Sequence, residues 1–177
     1  MSKAVLISIH PEWARKILNG SKTVEIRKTA PKCGVPFKCY IYCTAGGKGA
    51  LMVKANAGAI TAESAYEREQ AEAFGYEAAN GKVVAEFTCN KIGTVYPLCM
   101  IPKWATVDAC LTREDIYKYL GTEHGYGMQI DDLKIYHTPR DLGEFTGLRT
   151  TKDGFELSLI TRPPQSWRYV EEELWND

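Results

Sequence analysis

The hydrophobic pattern opens with Ala4-Val5-Leu6-Ile7-Ser8-Ile9, an apolar run rich in β-branched residues that predicts a strand. Pro11 suits the first turn of a helix, where its missing N–H costs nothing. Trp13, Ala14, Ile17 and Leu18 then share one helical face, and Gly20 ends the helix. From Lys22 to Lys28 the period changes to two, which puts Thr23, Glu25 and Arg27 on one strand face and Val24 and Ile26 on the other. Residues 31–36 read as a loop, 37–43 as a third strand and 46–49 as a Gly-rich turn. Residues 62–79 are helix-like, with Thr61 as the expected cap and Ser64 too short to complete a capping box from it. After the Asn80-Gly81 turn, residues 83–89 predict a strand. Thr112 predicts a helix start, with Asp115 at its third position and Gly121 as its stop. Residues 126–130, 133–136, 155–160 and 167–170 predict further short strands, the first two joined or bulged. Many short strands with two or three helices imply an α+β fold with a largely β core.

The length of 177 residues suits one domain. No apolar run reaches the roughly 18 residues of a membrane span, and no secretory pattern stands at the start, so a cytoplasmic protein with no membrane partner is expected. The formal charge is zero but uneven: residues 1–60 carry ten Lys and Arg against Glu12 and Glu25 alone. That excess suggests either an anionic ligand near the N-terminal half or pairing between the two halves of the chain. The six cysteines lack C-x-x-C spacing, so they are expected to be reduced, several of them as small core residues in strand-like runs, with no metal and no cofactor. Trp104 and Trp175 are expected to serve packing.

The polar stretch after the first helix carries the candidate chemistry. A partly desolvated Lys22 would act as a base or contact a phosphate, against the alternative of a solvated turn lysine. Arg27 could fork onto a phosphate or a base edge, and Glu25 could accept from an amine or serve as a general base. The alternative for this pair is a surface ion pair of little value. Thr23 and Lys28 flank them. Pro163-Pro164 stiffen the approach to Gln165-Ser166-Trp167, which could read and stack a base or could simply pack. Tyr126 and Gln129 lie beside a Gly-containing turn, and His10 precedes the first helix.

These stretches also resemble a known family. Leu6-Ile7-Ser8-Ile9-His10-Pro11-Glu12-Trp13, followed by Gly20-Ser21-Lys22-Thr23-Val24-Glu25-Ile26-Arg27, is similar to the ASCH family of the PUA-like superfamily, with its Gly-x-Lys-x-x-Glu-x-Arg pattern. Lys82–Phe87, Ile130–Tyr136 and Arg162–Trp167 resemble its larger prophage and gut-bacterial members. The resemblance covers one domain over 1–177 and is weakest at about 45–80, where an insertion is expected. It implies a PUA-like mixed β-barrel with two to three flanking helices and a basic cleft beside it. Ser8, His10, Lys22, Thr23, Glu25, Arg27, Lys28, Tyr126, Gln129, Gln165, Ser166 and Trp167 are the residues expected to bind RNA, a nucleotide or a modified nucleoside. Some relatives hydrolyse N4-acetylcytidine. Their lysine matches Lys22, their nucleophilic threonine falls at Glu25, and their later glutamate is sought at Glu114 or Glu123. A hydrolase acting on such a nucleoside or on RNA, with Lys22 and Glu25 as the catalytic pair, is therefore the alternative to a binding protein. A phage-type protein that sequesters a nucleotide signal is a third reading. Relatives carry Trp near Met128 and His near Gln129, and this chain has neither.

Overall fold

The computed structural model describes residues 2–173 apart from Lys48 and Asp153; Trp175 lies outside the described residues. The middle of the main sheet is β1 (Lys3–Ile9), which pairs in parallel with β3 (Phe37–Cys43) and antiparallel with β13 (Trp167–Glu171). Its alternate residues feed two cores. Val5, Ile7 and Ile9 pack on one face and Ala4 and Leu6 on the other, which explains an apolar run without polar alternation. Adding β7 (Val83–Cys89), β10 (Asp131–Arg140), β11 (Thr146–Thr151) and β12 (Gly154–Leu159) gives a seven-stranded sheet in the order β10-β7-β3-β1-β13-β11-β12. Helix α1 (Pro11–Leu18) buries Ala14, Ile17 and Leu18 against the first of these cores.

A second sheet grows out of the first. Strand β7 continues through residues 90–91 into β8 (Ile92–Val95), and β9 (Gly125–Gln129) continues through Ile130 into β10, so one long antiparallel ladder bends at its middle. The Gln129 N–H donates to the Lys91 carbonyl at 3.0 Å across the bend. Asp132 takes up the bulge with φ 49°, a backbone region open to Asp and Asn. Strand β2 (Val24–Arg27) pairs with β9 on the far side of this sheet. Val24 and Ile26 are covered by a short π-helical turn (Trp104–Asp108) and helix α3 (Arg113–Leu120).

Residues 50–78 make a third sheet of β4 (Ala50–Lys54), β5 (Gly58–Ala62) and β6 (Glu77–Ala78), with helix α2 (Ala65–Ala73) against it. The hairpin was not expected, and the helix start differs from the expected one. Thr61 is committed to the β4–β5 ladder opposite Leu51, so it cannot cap. Ser64 caps instead: its Oγ accepts from the Glu67 N–H at 3.2 Å, and the Glu67 carboxylate accepts from the Ser64 N–H at 3.2 Å. Thr112 caps α3 as the sequence predicts, and Asp115 goes further than expected by completing the equivalent box.

The architecture is a mixed α+β fold of several sheets and three α-helices among the described residues. The ladders among those residues run in an open order and do not themselves trace the expected closed barrel. No helix of the described residues is long and apolar enough to cross a membrane. Part of the charge asymmetry is answered internally, since Lys38 stands 3.4 Å from Glu86 and 3.6 Å from Glu172.

Candidate functional site

Strand β2 is only four residues long, yet every one of them is buried. Its apolar face meets the π-helical turn and α3, so Glu25 and Arg27 point the other way, toward β1. Lys22 enters from the turn after α1 and joins them. Its Nζ lies 3.2 Å from Glu25 Oε2 and donates to the Ala109 carbonyl at 2.9 Å. It also stands 5.3 Å from the centroid of the Trp13 ring, over the ring face. On the other side of Glu25, Arg27 Nε lies 2.9 Å from Oε1. That N–H is not aimed at the oxygen, and the buried Nε makes no hydrogen bond among the described residues. The contact is therefore Coulombic attraction without hydrogen-bond geometry. The residue exposures of Lys22, Glu25 and Arg27 are 3%, 8% and 9%. The solvated turn lysine and the surface ion pair are thus excluded. So is an open cleft lined by these three side chains: they form a buried cluster of two cations and one carboxylate.

The cluster is tied to the C-terminal segment. Arg27 Nη2 donates to the Ser8 carbonyl at 2.6 Å, and Nη1 donates to Ser166 Oγ at 3.4 Å. Ser8, buried at the end of β1, donates from Oγ to the Pro164 carbonyl at 2.6 Å and from its N–H to the Ser166 carbonyl at 2.9 Å. Trp167 donates from its indole N–H to the Thr29 carbonyl at 3.2 Å and to Thr29 Oγ1 at 3.1 Å, and meets Tyr169 edge-on. Its ring latches the loop onto the chain after β2 and is not a free stacking platform. Gln165 is exposed beside it.

The remaining expected residues scatter. Thr23 precedes the strand, is exposed, and lines a separate cavity with Val24; its N–H donates to the Asp108 carbonyl at 2.8 Å. It does not share the face of Glu25, because the strand geometry that would place it there begins only at Val24. His10 is exposed and lies 3.0 Å from Thr44 Oγ1 through Nδ1, away from the cluster. Lys28 is exposed and stands 5.3 Å from the centroid of the Tyr119 ring. Tyr126 is the cross-strand partner of Arg27 and bonds His124 at 2.9 Å. Gln129 is the partner of Val24, is exposed, and donates to Asp131 Oδ1 at 3.1 Å. Glu114 and Glu123 are exposed, and no described contact joins either to Lys22 or Glu25. The Ala109 carbonyl and the Trp13 ring were missed. Trp13 had a readable signal, since it sits on the helix that delivers Lys22; Ala109 had none, because a backbone acceptor 87 residues away leaves no mark in composition.

Residues 7–92 match the family model described as the ASCH domain. The fold resembles the crystal structure of ASCH from Zymomonas mobilis with a TM-score of 0.58 and 19% identity, covering 96% of this chain and 88% of that one. Crystal structures of two single-substitution variants of the same Zymomonas mobilis protein each give a TM-score of 0.53 at 18% identity, covering 96% of this chain and 91% and 89% of theirs. No curated protein matches the sequence. At such identity the solved structures speak to the fold alone, whereas the family match spans Lys22, Glu25 and Arg27 directly. Residues 7–92 are therefore similar to the ASCH domain, in a chain whose fold is shared with a solved ASCH structure.

Proposed function

We propose that this chain, similar to the ASCH family over residues 7–92, binds RNA or a nucleotide over the outer edge of the Lys22–Glu25–Arg27 cluster, with the Ser8 and Gln165-Ser166-Trp167 segments as its flanks and a PUA-like barrel as its scaffold. The ASCH family is generally RNA-binding. The observation that carries the reading is the charge imbalance among the described residues: two buried cations face one buried carboxylate, and Arg27 Nε lacks a hydrogen bond there. A buried surplus cation is costly unless an anion or a strong acceptor meets it. A phosphate oxygen or a base carbonyl supplies that acceptor, and arginine suits either. Lys28, exposed at the end of β2, extends positive charge toward solvent. Both oxygens of Glu25 are engaged by cations, and the nearby threonine faces elsewhere, which favours binding over hydrolysis.

Fluorescence anisotropy with a labelled single-stranded RNA, titrated between about 50 and 200 mM salt, tests this. The expected log–log slope is about −0.7 for each phosphate contacted, falling in magnitude by roughly one contact in Lys28→Ala. Arg27→Gln, checked for a retained thermal transition, should weaken binding at least tenfold. Parent-like affinity in both variants, or no binding of RNA or nucleotides at the lowest salt, would overturn the reading.

A further inference from the structure

Backbone register places a second recognition surface behind the cluster. Val24 and Ile26 oppose Gln129 and Gly127, so these four share the face of β2 and β9 that Glu25 and Arg27 do not use. On that face Gly127 is the cross-strand partner of Gly93. Both glycines are there for Trp104: a Cβ at Gly93 would meet Trp104 Cζ2 at 2.7 Å, and one at Gly127 would collide with Cζ3. Two bare backbone positions side by side let an indole lie directly against the sheet. Beside it a cavity of about 420 Å³ opens, within the size range of small-molecule sites.

The walls are fixed to one another. Thr23 donates from its N–H to the Asp108 carbonyl at 2.8 Å and accepts at its own carbonyl from the Ile130 N–H at 2.9 Å. Asp131, on the rim, is held by two amides: Gln129 Nε2 donates to Oδ1 at 3.1 Å and Asn90 Nδ2 to Oδ2 at 3.0 Å. A carboxylate has about four acceptor positions, so Asp131 keeps capacity for further donors. Asp108 also lines the space, and Lys91 is the one cation that does so among the described residues. The formal charge of the lining is thus −1, opposite in sign to the buried cluster on the other face.

From this we infer a second binding site, for a flat, uncharged heterocycle bearing an amino group, the chemistry shared by adenine, guanine and cytosine. The Trp104 ring offers an apolar aromatic wall, Asp131 and Asp108 accept from the amino group, and the acidic balance turns phosphate away. The site is independent of the cluster's ligand.

Adenosine, cytidine, uridine and AMP are the probes, titrated against the full chain by tryptophan fluorescence and by amide chemical shifts. Adenosine and cytidine should bind saturably and shift the Gly93 and Gly127 amides and the Trp104 indole N–H. Uridine, which lacks the amino donor, should bind about tenfold more weakly, the effect of one charge-assisted hydrogen bond. AMP should bind more weakly than adenosine. Asp131→Asn and Asp108→Asn should each weaken adenosine about tenfold; Asp108 is exposed, so its variant reads binding without loss of fold. Tighter binding of AMP than of adenosine would overturn the inference. Adenosine shifts confined to Ser8 and Ser166 would overturn it too, while supporting a ligand at the cluster. An absence of saturable nucleoside binding would sink it and leave the RNA reading untouched.

Discussion

Lys22 and Glu25 stand 3.2 Å apart with side chains only 3% and 10% exposed, so the carboxylate of one is the buried counter-charge of the other. Glu25 serves Arg27 in the same way. Removing the single anion strands two cations, whereas removing Lys22 leaves a balanced pair. Glu25→Gln is therefore expected to lose about 3–5 kcal/mol of stability, and Lys22→Met distinctly less. Urea denaturation of both variants checks the order; equal losses would contradict the charge bookkeeping.

Arg27→Lys keeps the charge but not the fork. Lysine cannot reach Ser8 and Ser166 together as Nη2 and Nη1 do, so the Ser8 carbonyl loses a 2.6 Å donor. A cost of about 1–3 kcal/mol follows from leaving that buried acceptor unmet. The Ser8 amide, which donates to Ser166 across the same seam, should exchange with solvent faster, and hydrogen exchange measures it. Unchanged protection at Ser8 would mean that the loop is held without Arg27.

Gly127→Ala should destabilise by about 1–3 kcal/mol, because its methyl collides with the Trp104 ring against the sheet. Trp104→Leu in the same chain should recover part of that loss, since it removes the atoms struck. The non-additivity of the double variant is the readout. Simple additivity would show that the ring does not rest on this glycine.

Burial pushes the Cys43 thiol up to about 12 and the Cys89 thiol up to about 11, from an ordinary 9.0. Burial also raises Tyr40 and Tyr136. In each case the folded state holds its proton more tightly than the unfolded chain. The associated stability is fully present below about pH 9 and is lost as pH rises through the folded values. The urea midpoint should fall steadily from pH 9 to 11, and Cys89→Ala should flatten the curve. A midpoint constant through pH 11 would refute this.

The elements built on strong local periodicity were legible: β1, α1, β3, β7 and the capped α3 lie where the pattern put them. So was the convergence of Lys22, Glu25 and Arg27, because a four-residue alternation next to a helix stop leaves few alternatives. Their burial was not legible, since it depends on β13 and the residue 109 carbonyl, both distant in sequence. Strand β8 and the π-helical turn escaped notice for a related reason. Gly93 weakens any strand signal, and its purpose appears only when Trp104 lies on it. Residues 50–62 lack a strong turn dipeptide, which hid the β4–β5 hairpin.

The central place of β1 has a consequence for how the protein emerges from the ribosome. One of its edges waits for residues 167–171, the last strand described, and the Ser8 hydroxyl waits for Pro164. Until residues 164–171 have been synthesised, the charged trio after the first helix has no seal and stays wet. Any product cut short before residue 160 should therefore expose the open edge of its first strand to neighbouring chains.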